Sequence, residues 1–134
     1  MKDLRKFITT TIREYLNESI VFNNNENYGK FELKLDNNIV SETHYSINNP
    51  DEVFDKKYVA LYALETNKNY RNMGYMRELL KNVFLYVKTE LQIDYILLDV
   101  EKDNISAINL YNSNGFEIYK DDKKDKYFTM LKKL

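Results

Sequence analysis

Two stretches of this 134-residue chain place residue types at spacings that can do chemistry. In Asn69-Tyr70-Arg71-Asn72-Met73-Gly74-Tyr75-Met76, a polar loop leaves an apolar run and enters a helical pattern. Unpaired N–H groups at a helix start, with the positive end of the helix dipole, make an anion site. Gly74 lets the backbone come close to a phosphate, and Arg71 adds a permanent cation. A glycine easing a strand-to-helix turn beside a solvated arginine is an equal reading of the loop alone. In the second stretch, Asp99 interrupts the apolar run Ile96-Leu97-Leu98-Asp99-Val100. A carboxylate within a buried strand is costly unless paired, and desolvation raises its pKa toward the range of a general base. A hydrogen-bonded or edge-exposed aspartate is the alternative. His44 is a base by chemistry, yet a lone histidine on an early strand is more often an ordinary surface or core residue.

The elements that must position these residues follow from periodicity. Leu4, Phe7, Ile8, Thr11, Ile12, Tyr15 and Leu16 recur at helical spacing, predicting an amphipathic helix over 3–18. An Asn-rich loop at 23–27 precedes Phe31, Leu33 and Leu35, which alternate with charged neighbours as in a half-buried strand. Asp36-Asn37-Asn38 supplies a turn, and a return strand runs from 39 to about 47. After a second break at 48–51, the near-continuous apolar run 58–64 fits a strand covered on both faces. Met76, Leu79, Leu80, Val83, Phe84, Val87 and Leu91 then mark a helix over about 74–91. A strand at 93–101 leads to a helix at 104–114, with Ile105, Ile108, Leu110 and Tyr111 as candidate buried positions and Gly115 as its stop signal. A hairpin of 116–119 and 127–131 closes the chain. The order predicts an α/β fold: a mixed sheet, antiparallel early, with a strand–helix–strand crossover and flanking helices.

Composition narrows the function classes. With 43% hydrophobic residues, residues 1–134 can build the core of one domain. Charged residues nearly cancel, leaving −1, so no bulk field draws the chain to nucleic acid or an anionic membrane. A nucleic-acid-binding module would also want a basic stripe, which is missing. The absence of cysteine removes disulfides, thiolate clusters and a Cys nucleophile, and a single histidine removes most zinc sites, so no metal is expected. No apolar run reaches the roughly 20 residues of a membrane span, which makes a cytoplasmic protein the expectation.

One run ties these pieces together. Residues 98–116, from Leu98 through Val100, Asn104, Ala107, Leu110 and Tyr111 to Gly115 and Phe116, resemble the pattern L-x-V-x-x-x-N-x-x-A-x-x-L-Y-x-x-x-G-F of the GNAT acetyltransferase superfamily at every specified position. The loop Arg71-x-x-Gly74-x-Met76 is similar to that family's acetyl-CoA pyrophosphate loop, Q/R-x-x-G-x-G/A, with Met76 where a small residue is usual. The resemblance covers about 57–131. The twelve-residue interval from Asp99 to Tyr111 resembles the strand carboxylate and helix tyrosine of bacterial ribosomal-protein N-terminal acetyltransferases, where the carboxylate is Glu.

The resemblance implies a GNAT-like sheet, acetyl-CoA as co-substrate and a primary amine, on a small molecule or a peptide, as acceptor. The family usually opens with a strand before its first helices, and that N-terminal strand is missing from the predicted order. Tyr111 would be the general acid toward the departing thiolate; as one of twelve tyrosines, a core role with a satisfied hydroxyl is its ordinary alternative. Asp99 is the first candidate base and Glu65 the second, acting through water. Leu64 and Thr66 would pair main-chain groups with the pantetheine amides as a short added strand. The 71–76 loop, meaning Arg71, Asn72, Met73, Gly74, Tyr75 and Met76, would hold the pyrophosphate. Asn104 would hydrogen-bond the pantetheine arm, cap its helix, or both. Acidic residues at 51–55 and 121–125 could by their charge attract a cationic amine or a basic peptide, though solvated surface turns are the default reading. The resemblance admits a homodimer, and a degenerate, non-catalytic acyl-CoA-binding or protein-interaction domain is the competing class.

Overall fold

Asp36 and Asn37 both take positive φ, 50° and 68°. That is the two-residue hairpin turn whose twist matches its flanking strands, and Asn and Asp tolerate it well. It joins β2 (Tyr28–Leu35) to β3 (Asn38–Asn48) in the computed structural model, which describes residues 18–24 and 27–134. The helix expected over 3–18 lies outside the described residues apart from Glu18, which begins a strand not anticipated from the sequence, β1 (Glu18–Asn24). β1 pairs antiparallel with β2 and takes the edge of the sheet, so part of the Asn-rich segment is strand.

The sheet continues with β4 (Tyr58–Thr66), β5 (Tyr95–Glu101), β6 (Glu117–Lys120) and β7 (Tyr127–Lys133). Seven strands run in the order β1-β2-β3-β4-β5-β7-β6. The β4–β5 pair is parallel and every other pairing is antiparallel, as the predicted crossover requires. The crossover helix α1 (Tyr75–Tyr86) ends in a wider π-helical turn at Val87–Leu91, closed by Gln92 in the left-handed region at φ 56°. A second helix, α2 (Ile105–Ser113), connects β5 to β6.

One sheet face carries the main core. Leu79, Leu80 and Val83 of α1 and Val87 of the π turn pack with Phe31, Leu33, Tyr45, Val59, Leu61, Ile96 and Leu98, all fully or almost fully buried. Each such side chain contributes roughly 1.5–3 kcal/mol of burial. Of the four apolar positions expected buried on α2, Tyr111 is buried and Ile108 and Leu110 are half-buried, but Ile105 is 61% exposed. Ile105 opens the helix, ahead of Ala107, the first of its residues to pack against the core.

The opposite face holds a smaller cluster of Phe54, Tyr58 and Leu97. It fixes the loop between β3 and β4. Asp51 accepts from the backbone N–H of Val53 and Phe54 at 2.8 and 3.1 Å, and from the Tyr58 hydroxyl at 2.7 Å. Asp51 therefore works inside its own loop instead of standing out as a lure for cations. The Tyr58 bond, with the two backbone bonds, holds the Asp51 carboxyl below its ordinary 3.8. Burial first, and the Asp51 carboxylate second, push the Tyr58 phenol up to about 12. A depressed carboxyl pKa adds stability above the unfolded value and loses it as pH falls through the folded value. Asp51→Asn is therefore expected to lower the thermal midpoint at neutral pH, with the gap to wild type closing below about pH 4, checked by thermal denaturation across pH.

Candidate active site

Parallel pairing of β4 with β5 stops after three residue pairs, Val59 with Ile96, Ala60 with Leu97 and Leu61 with Leu98. The cause lies on the far side of β4. Between the pairs Glu42 with Glu65 and His44 with Tyr62, β3 supplies one residue and β4 two, a bulge. Ala63 within it adopts φ 52°, a left-handed conformation costing a non-glycine residue roughly 1 kcal/mol. The Thr43 hydroxyl steadies the bulge by donating to the carbonyl oxygens of Tyr62 and His44 at 3.2 and 3.1 Å. Bulged strands bend, and β4 leaves β5 at this point. The run predicted to be covered on both faces is buried only through Leu61; Tyr62 and Ala63 beyond it are exposed.

A cleft of about 500 Å³ opens where the strands part. It gathers Leu64, Asp99, Asn104 and Tyr111 of the residues expected from sequence, while Glu65, Thr66 and the 71–76 loop do not line it. The loop stands at the end of β4, the strand that walls the cleft.

Tyr111 enters from the core face. Its position is fixed by the end of α2: the N–H of Phe116 donates to the Tyr111 carbonyl at 3.0 Å and that of Gly115 to Asn112 at 3.1 Å. This is a Schellman cap, with Gly115 supplying the left-handed residue at φ 92°. The apolar contact that accompanies such caps is here the Tyr111 ring against Phe116, centroids 5.9 Å apart, and Phe116 rests in turn on Phe84 of α1 at 5.8 Å. Burial raises the Tyr111 phenol above the ordinary 10.0, so the hydroxyl keeps its proton at neutral pH. Asn104 caps the other end of α2, its Oδ1 accepting from the Ala107 N–H at 3.1 Å, and the residue also lines the cleft.

Asp99 enters from the opposite face. It is exposed, not buried, and accepts from the Thr129 hydroxyl at 2.7 Å. The strand pleat explains this: Leu98 and Val100 point into the core, whereas Asp99 points to the opposite face, one residue past the last pair with β4. Glu65 is exposed on β4 opposite Glu42. The Thr66 carbonyl already accepts from Arg71 Nε at 3.2 Å, and its hydroxyl pairs with Ser41 at 2.9 Å, so Thr66 anchors the loop.

The loop has the predicted form. Gly74, at φ 81°, begins α1 without a side-chain cap, and the first helical N–H groups, those of Tyr75, Met76 and Arg77, stand ahead of the Glu78 N–H that closes on the Gly74 carbonyl. Arg71, Asn72 and Met73 are exposed, with Asn72 also left-handed at φ 64°. A Cβ on Gly74 would meet nothing within 4 Å, so the glycine serves the backbone angle and leaves room above it. Tyr75 and Met76 are half-buried against the main core, which directs the bulk of Met76 inward.

Acidic residues at 121–125 serve their own turn. Asp121 pairs with Lys102 at 2.8 Å, and Asp122 and Asp125 accept from backbone N–H groups of Lys124 and Tyr127. Among the described residues no three His, Asp or Glu side chains could together hold a metal ion. The cleft also contains residues that sequence reading missed: Val53, Tyr62, Tyr127 and Thr129. Strand register brings Tyr62, Tyr127 and Thr129 together, and the β3–β4 loop brings Val53.

Gly115 tests the cap. A Cβ there would lie 2.5 Å from Lys132 Nζ and would have to hold φ 92°. Gly115→Ala should cost about 1–2 kcal/mol in chemical denaturation, chiefly from the backbone term, since Lys132 can swing away.

Comparisons with known proteins find the same fold. The ribosomal-protein-S18-alanine N-acetyltransferase of Escherichia coli superposes with a TM-score of 0.66 at 19% identity, covering 82% of this chain and 71% of that one. The PaiA N-acetyltransferase of Thermoplasma acidophilum, solved with coenzyme A, gives 0.69 at 18% identity, with 97% and 70% covered. A GNAT family acetyltransferase of Elizabethkingia anophelis, solved with acetyl-CoA bound, gives 0.70 at 13% identity, with 88% and 99% covered. No curated protein matches the chain by sequence. Residues 3–116 match the acetyltransferase (GNAT) family, and the chain belongs to that family.

Proposed function

We propose that this protein transfers an acetyl group from acetyl-CoA to a primary amine. The observation that carries the reading is the cleft between β4 and β5, which admits Tyr111 from one sheet face and Asp99 from the other. Family membership and CoA-bound structures of the same fold support the donor.

In this reading the diphosphate lies on the N–H groups that open α1, with Gly74 giving it room and Arg71 giving it charge. The pantetheine arm runs along β4 past Leu64, where the ladder to β5 has ended, and receives a hydrogen bond from Asn104 Nδ2. The thioester carbonyl carbon sits in the cleft. The neutral amine nitrogen attacks that carbon, a C–N bond forms, and the C–S bond breaks as the tetrahedral intermediate collapses. The proton lost by the amine passes to Asp99, directly or through water. The departing thiolate takes the Tyr111 hydroxyl proton, and solvent restores both groups. Glu65, which does not line the cleft, is left as a relay toward bulk water. The donor role suits Tyr111 because burial keeps its phenol protonated.

Calorimetric titration should show acetyl-CoA binding to wild type, weakened by Arg71→Ala. Thiol release measured against polyamines, aminoglycosides and peptide N-termini should identify an acceptor, and Tyr111→Phe should lower kcat by about 10²–10⁴ while acetyl-CoA affinity stays within a few fold. Lack of acetyl-CoA binding removes the reading altogether. Binding with no thiol release across the panel makes the domain a non-catalytic acyl-CoA binder.

A further inference from the structure

Strand register sorts the cleft into two walls. Ala60 pairs with Leu97, so two residues onward Tyr62 and Asp99 share the face that Leu97 belongs to, and Asp99 with Thr129 and Glu101 with Tyr127 extend that face across β7. Sheet order sets the strand of Asp99 between those of Tyr62 and Tyr127. Tyr62 stands open, 47% exposed, although it lines the cleft, whereas the 36% exposed Tyr127 ring already carries Lys126 Nζ 5.2 Å from its centroid. An open aromatic ring beside a carboxylate makes the surroundings that hold an alkylammonium ion, the ring by its negative face and the carboxylate by charge.

Tyr62 is also held in place. It is the last residue before the bulge at Ala63, where the strand bends, and its ring stacks on His44 of β3 with centroids 5.5 Å apart and planes 28° apart. The Thr43 hydroxyl, bonded to the carbonyls of both His44 and Tyr62, ties the two backbones at the same point. No other role in the proposed chemistry falls to His44.

We infer that Tyr62 is the specificity-determining residue for the acceptor, forming with Asp99 a pocket for a cationic alkylamine on the sheet face opposite Tyr111, and that His44 is its positioning residue. The inference rests on the acetyl-transfer reading, yet the amine pocket can be tested without turnover. His44 is the chain's single histidine, so its ring gives one set of resonances.

Titration with 1,4-diaminobutane, followed by nuclear magnetic resonance at the His44 ring, should give a saturable shift, and 1-butanol, an uncharged counterpart, should give none. Tyr62→Ala should weaken diamine binding about tenfold, while Tyr62→Phe, which keeps the ring, stays within about twofold. In turnover with the same diamine, His44→Ala should raise the KM for amine with kcat within about threefold, and His44→Phe should restore it by restoring the stack. A shift with butanol equal to that with diamine, or unchanged diamine affinity in Tyr62→Ala, overturns the inference. Calorimetry with acetyl-CoA on the same samples separates the two claims. Acetyl-CoA binding without the amine response defeats the pocket alone, whereas the amine response without acetyl-CoA binding leaves the pocket standing and defeats the acetyl-transfer reading.

Discussion

Backbone groups of a parallel strand pair that ceases to pair must find other partners, and the whole site depends on where β4 and β5 stop. Their ladder ends at Leu61 and Leu98. A bulge at Ala63 bends β4 away, held by a left-handed alanine and the Thr43 hydroxyl. Had pairing continued to the ends of both strands, Tyr111 and Asp99 would be sealed on opposite sides of an unbroken sheet. The bulge thus converts a packed layer into a passage through it, and the strain of one non-glycine residue at positive φ is the local cost of that opening.

The rest of the architecture holds the edges of this passage still. α1 packs on the core through Leu79, Leu80 and Val83 and presents its first turn beside the end of β4. α2 is tied down at both ends, by the Asn104 cap and by the Gly115 cap, and the second also fixes the Tyr111 ring through Phe116. Arg77 near the start of α1 donates to Ser113 at the end of α2 at 3.1 Å, linking the helix that follows the 71–76 loop to the helix that carries Tyr111. On the opposite face, Asp51 and Tyr58 pin the β3–β4 loop, so Val53 meets the cleft from a fixed turn.

Much of this was legible in the sequence because the relevant signals are local. The hairpin turn at Asp36 and Asn37, the helical stripe from Met76 to Val87, and the Asn104 to Phe116 run each declare themselves within a few residues. β5 is legible too, and of the two readings of Asp99 the structure holds the hydrogen-bonded, exposed one: a run of apolar neighbours does not tell which unless the loss of a partner strand is known. That loss comes from a bulge carried by alanine, without the glycine that would have signalled it. β1 was missed because Ile20, Val21 and Phe22 are too few to mark a strand by themselves, and pairing with β2 makes them one. Tyr62 and Tyr127 stand 65 positions apart and meet only through the register of three strands.

The pleat has a further consequence for how such a chain can change over time. Along β5, Leu98 and Val100 support Tyr111 while Asp99 and Glu101 face the other wall, so odd and even positions of one short strand answer to different demands. A replacement at the exposed Glu101 alters the far wall and leaves the buried Leu98 and Val100 untouched. Drift in the proposed acceptor choice can therefore proceed by single steps at positions such as Tyr62 and Glu101 while Asp99 and Tyr111 keep their places, which makes the chemistry of this domain more durable than its preferences.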